Sequence, residues 1–198
     1  MQGISRDDLA ILPIRRYEGT VSLVATAKEL EQARADFRQE RVVGFDTETR
    51  PSFRKGESHL PCLVQAATAQ AVYLFQLSRL DVFPALVELL AKRDTVKAGV
   101  GLVHDLRQLK LVFPFTVNNV LDLGVAARRR GLGQTGVRNL AGILLGFRIP
   151  KGNRTSNWAA PHLSPAQITY AATDAWASRE LYLRFESLGL LPAPAGPI

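Results

Sequence analysis

Cysteine is almost missing from this chain: Cys62 is the only one in 198 residues. A single thiol makes no internal disulfide and no cysteine-built zinc cluster, and a reducing compartment suits it. Long apolar runs are also missing, and no stretch approaches the ~20 residues of a membrane-spanning helix. The N-terminal segment mixes Arg6, Asp7, Asp8, Arg15 and Arg16 and has no apolar run of the kind a secretory signal carries. The expected compartment is therefore the cytoplasm, with no membrane partner. No internal repeat or low-complexity block interrupts the chain, and its length is that of one domain with short extensions.

Apolar residues are plentiful, at 46% of the total, enough for a sizeable core. Basic residues outnumber acidic ones, giving a net charge of +7 and an isoelectric point near 10.0. That balance suits an anionic partner, of which nucleic acid is the commonest, although positive charge also serves solubility alone. No protein partner is evident.

Read in order, residues 1–20 lack a clear period and are expected to form an extended arm. Val21–Val24 reads as a short edge strand. Thr26 and Glu29 fit a capping box opening a helix to about Arg38. Val42, Val43 and Phe45 are apolar and β-prone, so Arg41–Arg50 (RVVGFDTETR) reads as a buried strand, and the polar residues 50–60 as the loop beyond it. Leu63–Ala67 and Ala71–Phe75 suggest a hairpin. Helices are expected at Val82–Lys92, Val103–Val112, Asp122–Arg130 and Val137–Leu145, the last closed by Gly146. Strands are expected at Val96–Val100 and Val117–Val120. Phe147–Leu163 carries few signals of regular structure. Ser164, Pro165 and Gln167 then open the longest helix, which runs to about Leu188 with Gly189 as its stop. The Pro-rich tail is not expected to be helical. Strands first, then helices interleaved with strands, predict an α/β sandwich with a mixed sheet.

Candidate chemistry begins on the Arg41–Arg50 strand. Side chains on a strand alternate, so Asp46 and Glu48 point to one face. Two carboxylates at the end of a buried strand repel each other and are costly to desolvate, and a divalent cation would resolve the conflict. Hard oxygen donors suit magnesium or manganese rather than zinc. Taken alone, the pair reads equally well as two surface acids. Tyr170 and Asp174, four residues apart, share a face of the long helix. Ala171, Ala172 and Ala175 beside them allow that helix close to a sheet, which would bring Asp174 to Asp46 and Glu48. An ordinary amphipathic helix would give the same spacing. Asp105, in KAGVGLVHDLRQL, offers a fourth carboxylate, or a helix-start acid that meets the dipole.

Together these residues resemble a known family. Asp46 and Glu48, then Asp105, then Tyr170 and Asp174, look like the three exonuclease motifs of the DEDD superfamily in its tyrosine (DEDDy) branch. The surrounding words GFDTET, VKAGVGLVHDLRQL and SNWAAPHLSPAQITYAATDAWA match too. The last two are most similar to exonuclease domains of the Werner syndrome type, with ribonuclease D more distant. The resemblance covers about residues 20–190, leaving 1–19 as an N-terminal arm and 191–198 as a tail. It implies a ribonuclease H-like fold, an α/β architecture whose mixed central sheet is flanked by helices. It also implies two divalent metal ions, Mg²⁺ or Mn²⁺, and release of nucleoside 5′-monophosphates from a 3′ end. His104 adjoins Asp105 but does not occupy the position that a histidine fills in the family's other branch.

The resemblance makes Asp46, Glu48, Asp105, Tyr170 and Asp174 the catalytic set and the four acids the metal ligands. Asp46 would bridge both ions, Glu48 and Asp174 would complete the hydrolytic site, and Asp105 would hold the second ion directly or through water. A general base supplies only ~10²–10⁴-fold, far short of what phosphate esters need. An unperturbed tyrosine, with a pKa near ~10, is mostly protonated at neutral pH, so Tyr170 would orient the attacking water. The substrate is expected to be nucleic acid with a 3′ end, single-stranded or with a frayed or recessed terminus. It is DNA in the first reading. The alternatives are RNA 3′-end trimming or cleavage of short oligoribonucleotides, and an inactive nucleic-acid-binding module. Thr47, Arg50, Lys151, Arg154 and Trp158 are candidate substrate contacts, with Arg54 and Lys55 in the same loop as Arg50. Solvated cations are the alternative for the basic residues, and a buried loop anchor for Trp158, which could otherwise stack on a base.

Overall fold

The apolar run before Asp46 becomes the centre of a six-stranded mixed sheet. The computed structural model describes residues 3–54, 56–152 and 155–191. The strands are β1 (Thr20–Leu23), β2 (Val42–Thr49), β3 (Pro61–Ala67), β4 (Ala71–Gln76), β5 (Val96–Gly99) and β6 (Val120–Asp122), in the order β1-β4-β3-β2-β5-β6. The hairpin pairs β2–β3 and β3–β4 are antiparallel, whereas β1–β4, β2–β5 and β5–β6 are parallel. The helices are α1 (Arg6–Ile11), α2 (Ala27–Gln39), α3 (Phe83–Ala91), α4 (Leu102–Leu109), α5 (Leu123–Arg129), α6 (Val137–Leu140) and α7 (Pro165–Ser187).

Alternation along β2 decides what each face of the sheet does. Val43 and Phe45 join Phe37 of α2, Leu86, Leu89 and Leu90 of α3, and Leu102, Leu106 and Leu109 of α4 in one core. Val42, Gly44, Asp46 and Glu48 take the other face, which α7 covers. There Leu63, Leu74 and Trp158 pack with Ala171, Ala172 and Ala175 of α7. Farther along, Val42 and Ala98 pack with Leu181, Tyr182 and Phe185. Gly44 sets the spacing, because a Cβ there would lie 2.0 Å from the carbonyl oxygen of Ala175. Only glycine lets the α7 backbone rest on the strand one turn from Asp174. Both capping boxes form, Thr26 with Glu29 on α2 and Ser164 with Gln167 on α7.

Four expectations are corrected. The arm is not wholly extended: Ser5 caps α1, a helix with no buried residue and hence no apolar period to read. The sixth strand starts at Val120 rather than Val117. Asn119 adopts a left-handed φ of 50°, and the side-chain amides of Asn118 and Asn119 donate to Ala91 O at the end of α3 and to Arg93 O just after it. Asp122 caps α5 by accepting from Val125 N, instead of starting the helix. The helix expected at Val137–Leu145 is one α-helical turn followed by a π-helical segment, Ala141–Leu145, with Gly146 at φ 71° as its stop. Phe147–Leu163 is irregular, and Gly189 closes α7 at φ 64°. No helix among the described residues is long and apolar enough to cross a membrane. Tail residues 192–198 lie outside the described residues.

Candidate active site

Three carboxylates from two elements converge where α7 crosses β2. Asp46, Glu48 and Asp174 each offer an oxygen, and these three atoms lie within 4.8 Å of one another. Glu48 and Asp174 are buried. Asp46 Oδ1 accepts from the Thr47 amide at 2.9 Å. The β2–β3 register breaks between Glu48 and Thr49, an irregularity of the kind that re-aims side chains beside functional sites.

Crowding of like charge governs the electrostatics. Burial first, then Asp174, Glu48 and Asp105, hold the Asp46 carboxyl well above the usual carboxylate range. Burial raises Asp174 too, against the opposing pull of the Tyr170 hydroxyl and Arg138. Asp174 Oδ1 is buried with no hydrogen-bond partner. Hard oxygen donors, mutual repulsion and an orphaned buried oxygen together fit a divalent cation. Asp105 is not one of the three converging acids. It starts α4, half-buried, and burial pushes it up to about 6, with Asp122 adding to the shift and His104 opposing it. It nevertheless lies near enough to raise Asp46.

Tyr170 sits on the same face of α7 as Asp174, with its ring centroid 5.9 Å from that of Trp158. Burial, then the charges of Asp174 and Glu48, push its hydroxyl far above the usual tyrosine value. The group is therefore a proton donor throughout the ordinary pH range.

The remaining candidates separate. Lys151 is exposed and, with Tyr170, lines a groove of about 420 Å³. Arg50 is drawn into its own loop, 3.3 Å from His59 and 3.8 Å from Glu57. Trp158 is fully buried and shows no ring face to a base, which corrects the stacking role and leaves it as a wall behind Tyr170. Arg154 and Lys55 lie outside the described residues. Two neighbours went unread in the sequence. Arg138 is near enough to act on Asp174, and nothing distinguishes it from other surface arginines. Gln65 is the cross-strand partner of Asp46, fully buried, with neither amide atom hydrogen-bonded. Its signal was a lone polar residue inside the apolar run LVQAA.

This arrangement has known counterparts. The sequence model of a family described as 3′-5′ exonuclease matches residues 21–189. The chain belongs to that family. It is 32% identical over 154 residues to the mouse bifunctional 3′-5′ exonuclease/ATP-dependent helicase WRN, covering 75% of this chain and 11% of that protein. It is 34% identical over 165 residues to ribonuclease D of Gluconacetobacter diazotrophicus, covering 81% of this chain and 41% of the relative. The chain thus spans less than half the length of either. Among solved structures, the Nibbler EXO domain of Aedes aegypti superposes with a TM-score of 0.75 at 25% identity, covering 87% of this chain and 90% of that one. The fold is the ribonuclease H-like one expected from the motifs.

Proposed function

We propose that this chain is a divalent-metal-dependent exonuclease that removes nucleoside 5′-monophosphates stepwise from a 3′ end. The observation carrying the proposal is the convergence of Asp46, Glu48 and Asp174 within 4.8 Å, with Asp174 Oδ1 buried and unpaired. Such a site is poorly satisfied by protein alone. Asp46, Glu48 and Asp174 would hold one Mg²⁺ or Mn²⁺, and Asp105, close enough to influence Asp46, would help hold a second. Bound there, the ions would supply an activated water and stabilise charge developing on the phosphoryl oxygens.

The chain's own residues supply position and protons. Burial, and then the neighbouring carboxylates, keep the proton on Tyr170, so its hydroxyl would donate a hydrogen bond and orient the attacking water. Trp158 would fix the ring from behind. The strand end at Glu48, the loop after it and the α7 face at Tyr170 would wall a closed pocket for the terminal nucleotide. Thr47 and Lys151 remain candidate substrate contacts, whereas Arg50 would first have to leave its partners in the loop.

The substrate is DNA in the first reading, and RNA 3′ ends form a second. The similarity to ribonuclease D over most of this chain favours keeping the RNA reading. Matched linear DNA and RNA strands beside a covalently closed single-stranded circle, with and without chelator, test the proposal. The expected result is metal-dependent shortening of the linear strands from the 3′ end and an intact circle. Cleavage of the circle at a comparable rate would show an open, endonucleolytic site.

A further inference from the structure

The groove beside Tyr170 is built partly from the N-terminal arm. Its described lining includes Arg16 from the arm, Lys151 and Gly152 from the loop before α7, and Thr169, Tyr170 and Thr173 from α7. At about 420 Å³ it falls within the ~300–1,000 Å³ typical of ligand sites. None of the three converging carboxylates lines it, so it adjoins the reacting centre without containing it. Tyr170 is the shared wall.

The arm is fastened there. Arg15 N donates to Arg148 O at 3.0 Å, and Arg148 N donates to Pro13 O at 2.9 Å. Arg148 Nε donates to Leu12 O at 3.1 Å. Tyr17 N donates to Thr173 Oγ1 at 3.1 Å, on the turn of α7 that carries Tyr170 and Asp174. The Tyr17 ring lies 6.1 Å from that of Trp176. Between these ties Arg16 is exposed, and neither it nor Lys151 has a hydrogen-bond or ion-pair partner among the described residues. Two unpaired cations on the lining of one nucleotide-sized groove complement a phosphate.

We propose that the arm is part of the substrate cleft: the groove takes a nucleotide adjacent to the one being released, and Arg16 and Lys151 bind its phosphate. Arg16 lies outside the span, 21–189, over which the family model matches. The proposal rests on the exonuclease reading.

The test uses the full chain as wild type, Arg16→Gln and Arg16→Glu, with Arg6→Gln on exposed α1 as control. Substrates are a labelled oligothymidylate, a labelled oligouridylate and the p-nitrophenyl ester of thymidine 5′-monophosphate, whose single phosphodiester cannot extend into the groove. Losing one charge-assisted hydrogen bond should raise KM on the better oligonucleotide about tenfold with kcat nearly unchanged. The salt slope of log(kcat/KM) should shrink by about 0.7. Arg16→Glu should be worse, and cleavage of the p-nitrophenyl ester should not change. An unchanged oligonucleotide KM and salt slope would overturn the proposal, as would an equal loss on the ester or with Arg6→Gln. Wild-type protein that shortens neither oligonucleotide would remove the exonuclease reading itself. Normal wild-type cleavage with an indifferent Arg16→Gln would remove only the arm's role.

Discussion

Asp46 stands among like charges: after burial, three other carboxylates raise it. Replacing it by Asn should abolish measurable nucleotide release while leaving the domain folded. The metal-free melting temperature should stay level or rise, because one source of repulsion has gone. Near-wild-type turnover by Asp46→Asn would mean that Asp46 holds no ion. Tyr170→Phe removes one hydroxyl and leaves the acids in place. A lost positioning donor costs about 10²–10³-fold in kcat, so this variant should retain measurable activity, in contrast to Asp46→Asn. Parallel single-turnover assays would show the difference, and equal losses would mean that Tyr170 does more than orient water. Spacing on a strand and on a helix put Asp46 with Glu48, and Tyr170 with Asp174, on shared faces, but it was the resemblance to the exonuclease motifs that singled these residues out. Gln65 was not, because its interest lies in an unpaired amide that only the register of β2 and β3 brings opposite Asp46.

The contact between β2 and α7 joins the two halves of the candidate site, and Gly44 lies within it. A methyl group there would sit 2.0 Å from Ala175 O and 2.7 Å from Arg179 N, both main-chain atoms of α7. Because backbone cannot yield as a flexible side chain can, Gly44→Ala should push α7 from the sheet. Overpacking of this kind costs about 1–3 kcal/mol, and Asp174 would move with the helix. Urea denaturation and activity should therefore fall together. Ser164→Ala, which removes the α7 cap, should cost about 1 kcal/mol yet leave the site's geometry and kcat close to wild type. A Gly44→Ala variant as active and stable as wild type would show that the helix has room to move. Elements announced by caps or alternation, such as α2, β2 and α7, were legible in the sequence. Those set by distant contacts were not. Helix α1 has no fully buried residue to mark it. Where β6 begins depends on two asparagines hydrogen-bonded to the C-terminal end of α3 and the turn after it. The fastening of the arm to α7 through Thr173 has no local signature at all.

At the scale of the whole molecule, two charge arrangements give measurable pH and salt dependence. One is interior. Lys97 is fully buried on β5, its ammonium donating to Lys92 O at 2.6 Å and Thr95 O at 2.8 Å. Burial, and secondarily the Lys92 cation, lower it from 10.5 to about 8. Between those values the unfolded chain binds more protons than the folded one, so stability should rise with pH from about 8 toward 10. Lys97→Met should lose that rise, and denaturation curves of both proteins across this window would check it; parallel pH slopes would place the titration elsewhere. The other arrangement is exterior. A chain of net charge +7 presents its converging acids in one recess, which separates holding a polyanion from cutting it. In chelator, a labelled single strand should still bind, and affinity should fall as salt rises by about 0.7 log units per phosphate contact per log unit of salt. Its 3′ end should remain uncut until Mg²⁺ or Mn²⁺ is restored. Cleavage by protein shown by elemental analysis to be metal-free would reject the role given to the three carboxylates. Binding in chelator that ignores salt would instead show that the positive surface takes no part in holding the strand.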